Sequence, residues 1–322
     1  MIEEGKIGKD QEMFLTDSMD TWNPSVRGNF ARVFQGFMKY NGLLRRGAVK
    51  FMRHENKEAA TPLFRTEVQI LEIMKGLNII NTIDTVVPMW ECGFIQPENL
   101  NIIPGDGMPG NLRELRGTVR RFLGETSEFA NQLEQHVEDG WLPYLVIEPL
   151  DRKQNLLLLS DPAYTPANKK YFEVLKALHA LAQACVILDV AHKQNVVYKD
   201  HKIVHCYWDD EWDIFRLMDW NCAHWYPNGL SEESCEEDIT QFIARMAFPL
   251  LTGRRLPGAL GDSSTPEMID AEAGKKYDVM WKYDDERLPR QLREMIEQAL
   301  QRQFKDAKTL GEKFADLLES LE

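Results

Sequence analysis

The hydrophobic period changes near Leu150, and that change constrains the fold more than any other feature of the 322 residues. Before it, short β-type runs alternate with glycine-containing turns; after it, apolar residues recur at three- and four-residue spacing over long stretches. NFARVFQGF and GAVKFM flank a turn at Tyr40-Asn41-Gly42 and read as a hairpin, and VVPMWECGFI and YLVIEPL read as two further strands. Pro62 opens a helical pattern carrying Leu63, Val68, Leu71 and Met74, which Gly76 closes. Between the last two strands lies an excursion, about 97–142. It starts with PENLNIIPGDGMPG and continues as one long helical pattern through Leu112, Leu115, Val119, Phe122, Phe129, Leu133 and Val137. Beyond Leu150, KKYFEVLKALHALAQACVILDVAH, EEDITQFIARMAFPLLTG, LPRQLREMIEQALQRQF and 308–321 read as helices, and the stretch around Asp209-Asp210-Glu211 as two small strands. The expected architecture is α+β: a polar leader over 1–22, a β-rich part over 23–150 and a helical part over 151–322, with a cleft at their joint.

Charge and cysteine usage narrow the function classes. With 51 acidic against 38 basic residues the net charge is -13, which argues against a nucleic-acid partner; the one basic cluster is Arg113, Arg116, Arg120 and Arg121. Five scattered cysteines without a CxxC pair point to a reducing compartment. The charged start, MIEEGKIGKDQEMF, lacks the apolar core of a secretory signal. ALAQACVILDVA, at 180–191, is too short for a span and contains Asp189. The expectation is a cytoplasmic protein without a membrane partner.

Four charged residues stand out by context: Lys50 inside a strand, Glu67 on the following helix, and Asp200 and Asp219 at the ends of two short apolar runs with Lys202 between them. An inward lysine needs an anion, because burying a lone ammonium is costly. Phosphoryl transfer needs a cation for the phosphates, a carboxylate for magnesium and a second carboxylate to orient the nucleophile, and these residues supply those parts in order. Two other patterns are weaker. His201, His205, Cys206, Cys222 and His224 match no structural zinc spacing, and Gly105, Gly107 and Gly110 outline a dinucleotide fingerprint that Pro104 and Pro109 interrupt.

In this order the motifs resemble the eukaryotic-type protein kinase family over roughly residues 24–320. AVK at 48–50 resembles the third-strand lysine motif, FRTEVQIL the C-helix, YLVIEPL the strand entering the hinge, YKDHK the catalytic loop and RLMDWNCAHWYPNG the metal-binding segment; Asp238 resembles the buried F-helix aspartate. The resemblance implies a two-lobe fold, with a small β-rich lobe carrying the inserted helix and a larger helical lobe. It implies ATP, with Mg2+ or Mn2+. Gly28, Phe30, Val33, Lys50, Glu67, Ile147, Glu148 and Leu150 are then the nucleotide residues, Asp200 and Lys202 the catalytic pair, and Asp219 and His205 the metal residues.

The departures are as informative. VRGNFARV keeps Gly28 and Phe30 but puts Val26 and Ala31 in the other glycine places. His205 stands where an asparagine would ligate the second metal, and Asn221 replaces the last glycine of the metal segment. Only 19 residues separate Asp219 from Asp238, with no Ala-Pro-Glu element between them, so peptide docking and loop phosphorylation have little room. Two readings stay open: a phosphotransferase acting on serine, threonine or a small-molecule hydroxyl, and a pseudokinase scaffold. The apolar stripe of the inserted helix likewise packs on its own lobe or meets a partner protein.

Overall fold

A computed structural model describes residues 1–8, 11–18, 30–75, 85–98, 112–160, 173–261 and 264–322, which form two compact units. Unit one comprises 1–75 and 87–150, and unit two 76–86 and 151–322.

Unit one contains strands β1 (Ile2–Ile7), β2 (Met13–Ser18), β3 (Ala31–Tyr40), β4 (Leu43–Met52), β5 (Met89–Pro97), β6 (Gly117–Phe122) and β7 (Leu142–Ile147), with helices α1 (Lys57–Met74) and α2 (Thr126–Glu138). The seven strands close into a barrel in the order β1-β2-β3-β4-β7-β5-β6, mixed because β1 and β2 run parallel while the other pairs are antiparallel. The protein-kinase two-lobe fold implied by the motifs is therefore overturned, since that fold has a small open sheet where this chain has a closed barrel. Strands β1 and β2, which lie in the stretch expected to be a polar leader, supply the closure: β1 pairs with β6 from Ile2↔Phe122 to Ile7↔Gly117. Its sequence IEEGKI buries fully only Ile7, so no alternating pattern announces it; pairing and the Glu4–Arg120 ion pair (2.8 Å) hold it in place.

The hairpin forms as expected, with Asn41 (φ 48°) and Gly42 (φ 79°) both left-handed, the conformation a two-residue turn needs. The long helix expected through Leu112 and Val119 is corrected. Gly117–Phe122 is a strand between β1 and β5, because Val119 and Arg121 face inward while Thr118 and Arg120 face out. Gly117 is required there: a Cβ would strike the Gln96 carbonyl. The helix that does form, α2, buries its stripe Phe129, Leu133 and Val137 within the unit, and Phe94 stacks on Phe129 and on His136 at centroid distances of 4.7 and 4.1 Å. The barrel interior holds Phe34, Met38, Val49, Phe51, Ile95, Val119, Tyr144 and Val146.

Unit two contains helices α3 (Leu156–Ser160), α4 (Val174–Lys193), α5 (Glu232–Phe242), α6 (Phe248–Thr252), α7 (Pro266–Asp270), α8 (Arg290–Leu300) and α9 (Ala307–Leu321). Its strands are β8 (Val196–Val197), β9 (Cys206–Asp209), β10 (Ile214–Leu217) and β11 (His224–Trp225), paired β8 with β11 and β9 with β10. A π-helical turn, Ile243–Ala247, joins α5 to α6. By length and composition α4 is apolar enough to cross a membrane, but it is the core helix of this unit, burying Leu178, Leu181, Ile187 and Leu188. It approaches α9 so closely that a Cβ on Gly311 would lie 2.8 Å from Cys185 Cβ.

Candidate functional site

In unit one, Lys50 on β4 and Glu67 on α1 form a buried pair, with Lys50 Nζ donating to Glu67 Oε2 at 2.7 Å and to Oε1 at 3.0 Å. Lys50 lies opposite Val33 on β3 and Leu145 on β7, and Ile147 is two residues further along the same face. Val33, Lys50 and Ile147 thus share the outer face of the barrel, away from the core face carrying Phe34, Val49, Tyr144 and Val146, and Glu67 meets Lys50 there from α1. Glu148 is half-buried and its amide donates to the Pro88 carbonyl at 3.1 Å; Phe30 and Leu150 are half-buried as well. Gly28 and the Gly105–Gly110 pattern lie outside the described residues.

In unit two, the chain leaves α4 through β8 and passes Tyr198–Lys202 as a loop with Lys199 left-handed (φ 62°). Asp200 is buried at 2 % exposure. Lys202 Nζ donates to its Oδ2 at 2.8 Å and Arg245 Nη2 to its Oδ1 at 3.4 Å. His205 follows on a 3-10 turn. Its Nε2 lies 3.2 Å from Asp219 Oδ2, and its Nδ1 lies 3.3 Å from the Asp200 carbonyl and 3.3 Å from the Tyr198 hydroxyl. The Tyr198 hydroxyl donates to the Met218 carbonyl at 2.6 Å and so ties the loop to the residue before Asp219. Asp219 is left-handed (φ 64°), with its side chain 22 % exposed; Asn221, the replaced glycine, is not left-handed. Asp200, Lys202, His205 and Asp219, read from the sequence as one group, are therefore brought together.

The loop is held from below by Asp238 on α5. Its Oδ1 accepts from the Lys199 amide (2.9 Å) and its Oδ2 from the Tyr198 amide (3.2 Å), while His201 Nε2 and His192 Nε2 approach at 2.8 and 2.9 Å. Burial pushes the Asp238 carboxyl up, yet the charge on His201 and the bonds from both histidines outweigh it and hold the group far below the usual carboxylate range. Burial likewise opposes charge on His192, but the bonds to Asp238 and Cys235 prevail and raise its pKa to about 9. A histidine raised in the folded state stabilises it fully below its unfolded value and loses that contribution as pH climbs through the folded value. Between pH 7 and 10 the loss of this contribution should cost about 2–3 kcal/mol of stability. Urea midpoints across that range should fall more steeply in wild type than in His192→Gln; parallel slopes would refute the assignment.

His192, His201 and Arg245 are residues that sequence reasoning did not assign to this group. Arg245 left a signal: it is the sole charged residue between Asp238 and Arg254, in an otherwise apolar helix, where a charge demands a partner.

Among the described residues, no group of three or more His, Cys, Asp or Glu is placed to hold a metal ion. Asp219 nonetheless suits magnesium, which takes one or two carboxylates and fills its other positions with water and phosphate oxygens. His205 faces the Asp219 carboxylate, and imidazole is a poor ligand for so hard a cation. No protein-family model matches the chain, and no curated protein matches it.

Proposed function

We propose that the protein is an ATP-dependent phosphotransferase acting on a hydroxyl. The observation that carries this reading is the Asp200 carboxylate, buried and engaged on each oxygen by a different cation, in one cluster with the partly exposed Asp219. In the reaction, the acceptor oxygen forms a bond to the γ-phosphorus as the bond from that phosphorus to the β,γ-bridging oxygen breaks. The acceptor proton passes to Asp200, and ADP leaves. Asp200 orients the hydroxyl, and Lys202 balances charge on the phosphoryl group. Asp219 would hold magnesium or manganese, which supplies charge neutralisation on the phosphates. Lys50, kept in place by Glu67, is assigned to the nucleotide phosphates. The short segment between Asp219 and Asp238 favours a small acceptor over a docked peptide.

One observation favours the second reading, a nucleotide-regulated binding module: His205 faces Asp219 where a second metal ligand would stand. Thermal shift separates the two. ATP with magnesium or manganese should raise the melting temperature of wild type by several degrees, since a ligand at one hundred times its Kd stabilises by about 2.7 kcal/mol. Asp219→Ala should lose the metal-dependent part. With that shift present, release of ADP dependent on an acceptor hydroxyl supports transfer, and a shift without turnover supports the binding module. Absence of any shift with either metal overturns both.

A further inference from the structure

Resting on the phosphotransferase reading, we infer that Arg245 is a positioning residue for Asp200, working from the helix that also anchors the loop through Asp238. The two residues are seven apart, about two helical turns, so one side of the α5–α6 rod meets the Tyr198–Lys202 loop at two points. At the first, the Asp238 carboxylate accepts the amides of Tyr198 and Lys199. At the second, the guanidinium takes the opposite polarity. Nη1 donates to the Lys199 carbonyl at 3.4 Å, and Nη2 to Asp200 Oδ1 at 3.4 Å and to Ser264 Oγ at 2.7 Å. Lys199 is thus gripped by its amide from one residue and by its carbonyl from the other, which fixes the backbone that carries Asp200.

Arg245 sits in the π-helical turn, where an extra residue per turn shifts the side chains that follow, a feature recurring at functional sites. The Arg245 side chain is only 1 % exposed, and its planar fork serves three acceptors at once, which an ammonium does with less geometric control. Its chemical use lies in the division of labour on Asp200. Lys202 holds Oδ2 but is assigned to the transferring phosphoryl group; when it turns to that group, Arg245 still holds Oδ1 and keeps the carboxylate aimed at the acceptor.

The test is steady-state transfer by the full chain with ATP, magnesium and a hydroxyl acceptor, comparing wild type, Arg245→Gln, Arg245→Lys and Ser264→Ala. Positioning predicts that Arg245→Gln loses roughly 100-fold in kcat with the KM for ATP within about threefold, because a misplacement near 1 Å costs that much. Arg245→Lys should recover at least a third of the logarithmic loss, and Ser264→Ala should stay within about threefold of wild type. If Arg245→Gln keeps wild-type kcat, or if kcat falls and the KM for ATP rises together, the assignment is wrong while the phosphotransferase reading stands. If Arg245→Gln fails to fold, Arg245→Lys decides: wild-type KM with kcat reduced at least fivefold supports positioning, and unchanged kcat refutes it. An inactive wild type that still binds ATP sinks the underlying reading and this inference with it.

Discussion

Asp200→Ala should lower kcat by about 10³-fold, the middle of the range a positioned acid or base supplies, while the thermal shift from ATP and magnesium stays close to that of wild type. The asymmetry follows from the proposed roles. Asp200 handles the acceptor proton, whereas Lys50 and Asp219 are assigned to the nucleotide and its metal. Removing Asp200 also takes from the buried Lys202 and Arg245 the carboxylate that both engage, so the alanine variant should melt lower before any ligand is added. Asp200→Asn keeps the shape with less of that penalty, and comparing its kcat with that of alanine separates chemistry from folding. Turnover in Asp200→Asn within threefold of wild type would remove Asp200 from the mechanism.

Arg121→Ala should destabilise unit one by about 3–5 kcal/mol, the cost of leaving a buried charge without its partner. Arg121 on β6 and Glu91 on β5 meet inside the barrel, with Nη2 donating to Glu91 Oε2 at 2.5 Å and side chains exposed by only 3 % and 0 %. The Tyr144 hydroxyl donates to Glu91 Oε1 at 2.9 Å and Arg121 Nη1 to the Lys39 carbonyl at 3.0 Å, so the pair ties β3, β5, β6 and β7 together. Burial and the neighbouring Glu91 charge both keep the Tyr144 phenol protonated, well above its usual range. In Arg121→Ala the carboxylate keeps that single hydroxyl among these partners. Replacing both charges with apolar residues, Arg121→Met with Glu91→Leu, should recover most of the loss, because a buried ion pair is often no better than a well-packed apolar pair. Urea unfolding followed by tryptophan fluorescence measures it; a loss under about 1 kcal/mol in Arg121→Ala would show that the pair does not hold the barrel.

That pair also shows where sequence reading stopped. Arg113, Arg116, Arg120 and Arg121 read as a basic cluster, yet on β6 successive side chains point to opposite faces. Arg121 enters the barrel to meet Glu91, while Arg120 stays outside to meet Glu4. Nothing in the local pattern marks GTVRRF as a strand, because its neighbours β1 and β5 lie more than one hundred and about twenty residues away in sequence. The leader misled for the same reason: IEEGKI is a strand through its partner. The candidate site behaved differently. Lys50 with Glu67, and Asp200 with Lys202, His205 and Asp219, were legible because charges at the ends or centres of apolar runs must be satisfied nearby, and the structure brings each set together.

By itself the sequence determined the change from β to helical period, the Asn41-Gly42 hairpin, the helices beyond Leu150 and the charged residues of the candidate site, all of which rest on local spacing and turn chemistry. Only the tertiary structure decided that the first strands close into a barrel, that α2 covers its own apolar stripe, and that Arg245 reaches Asp200. Those three depend on contacts between residues dozens of positions apart, where backbone pairing and the need to satisfy a buried charge outweigh local preference.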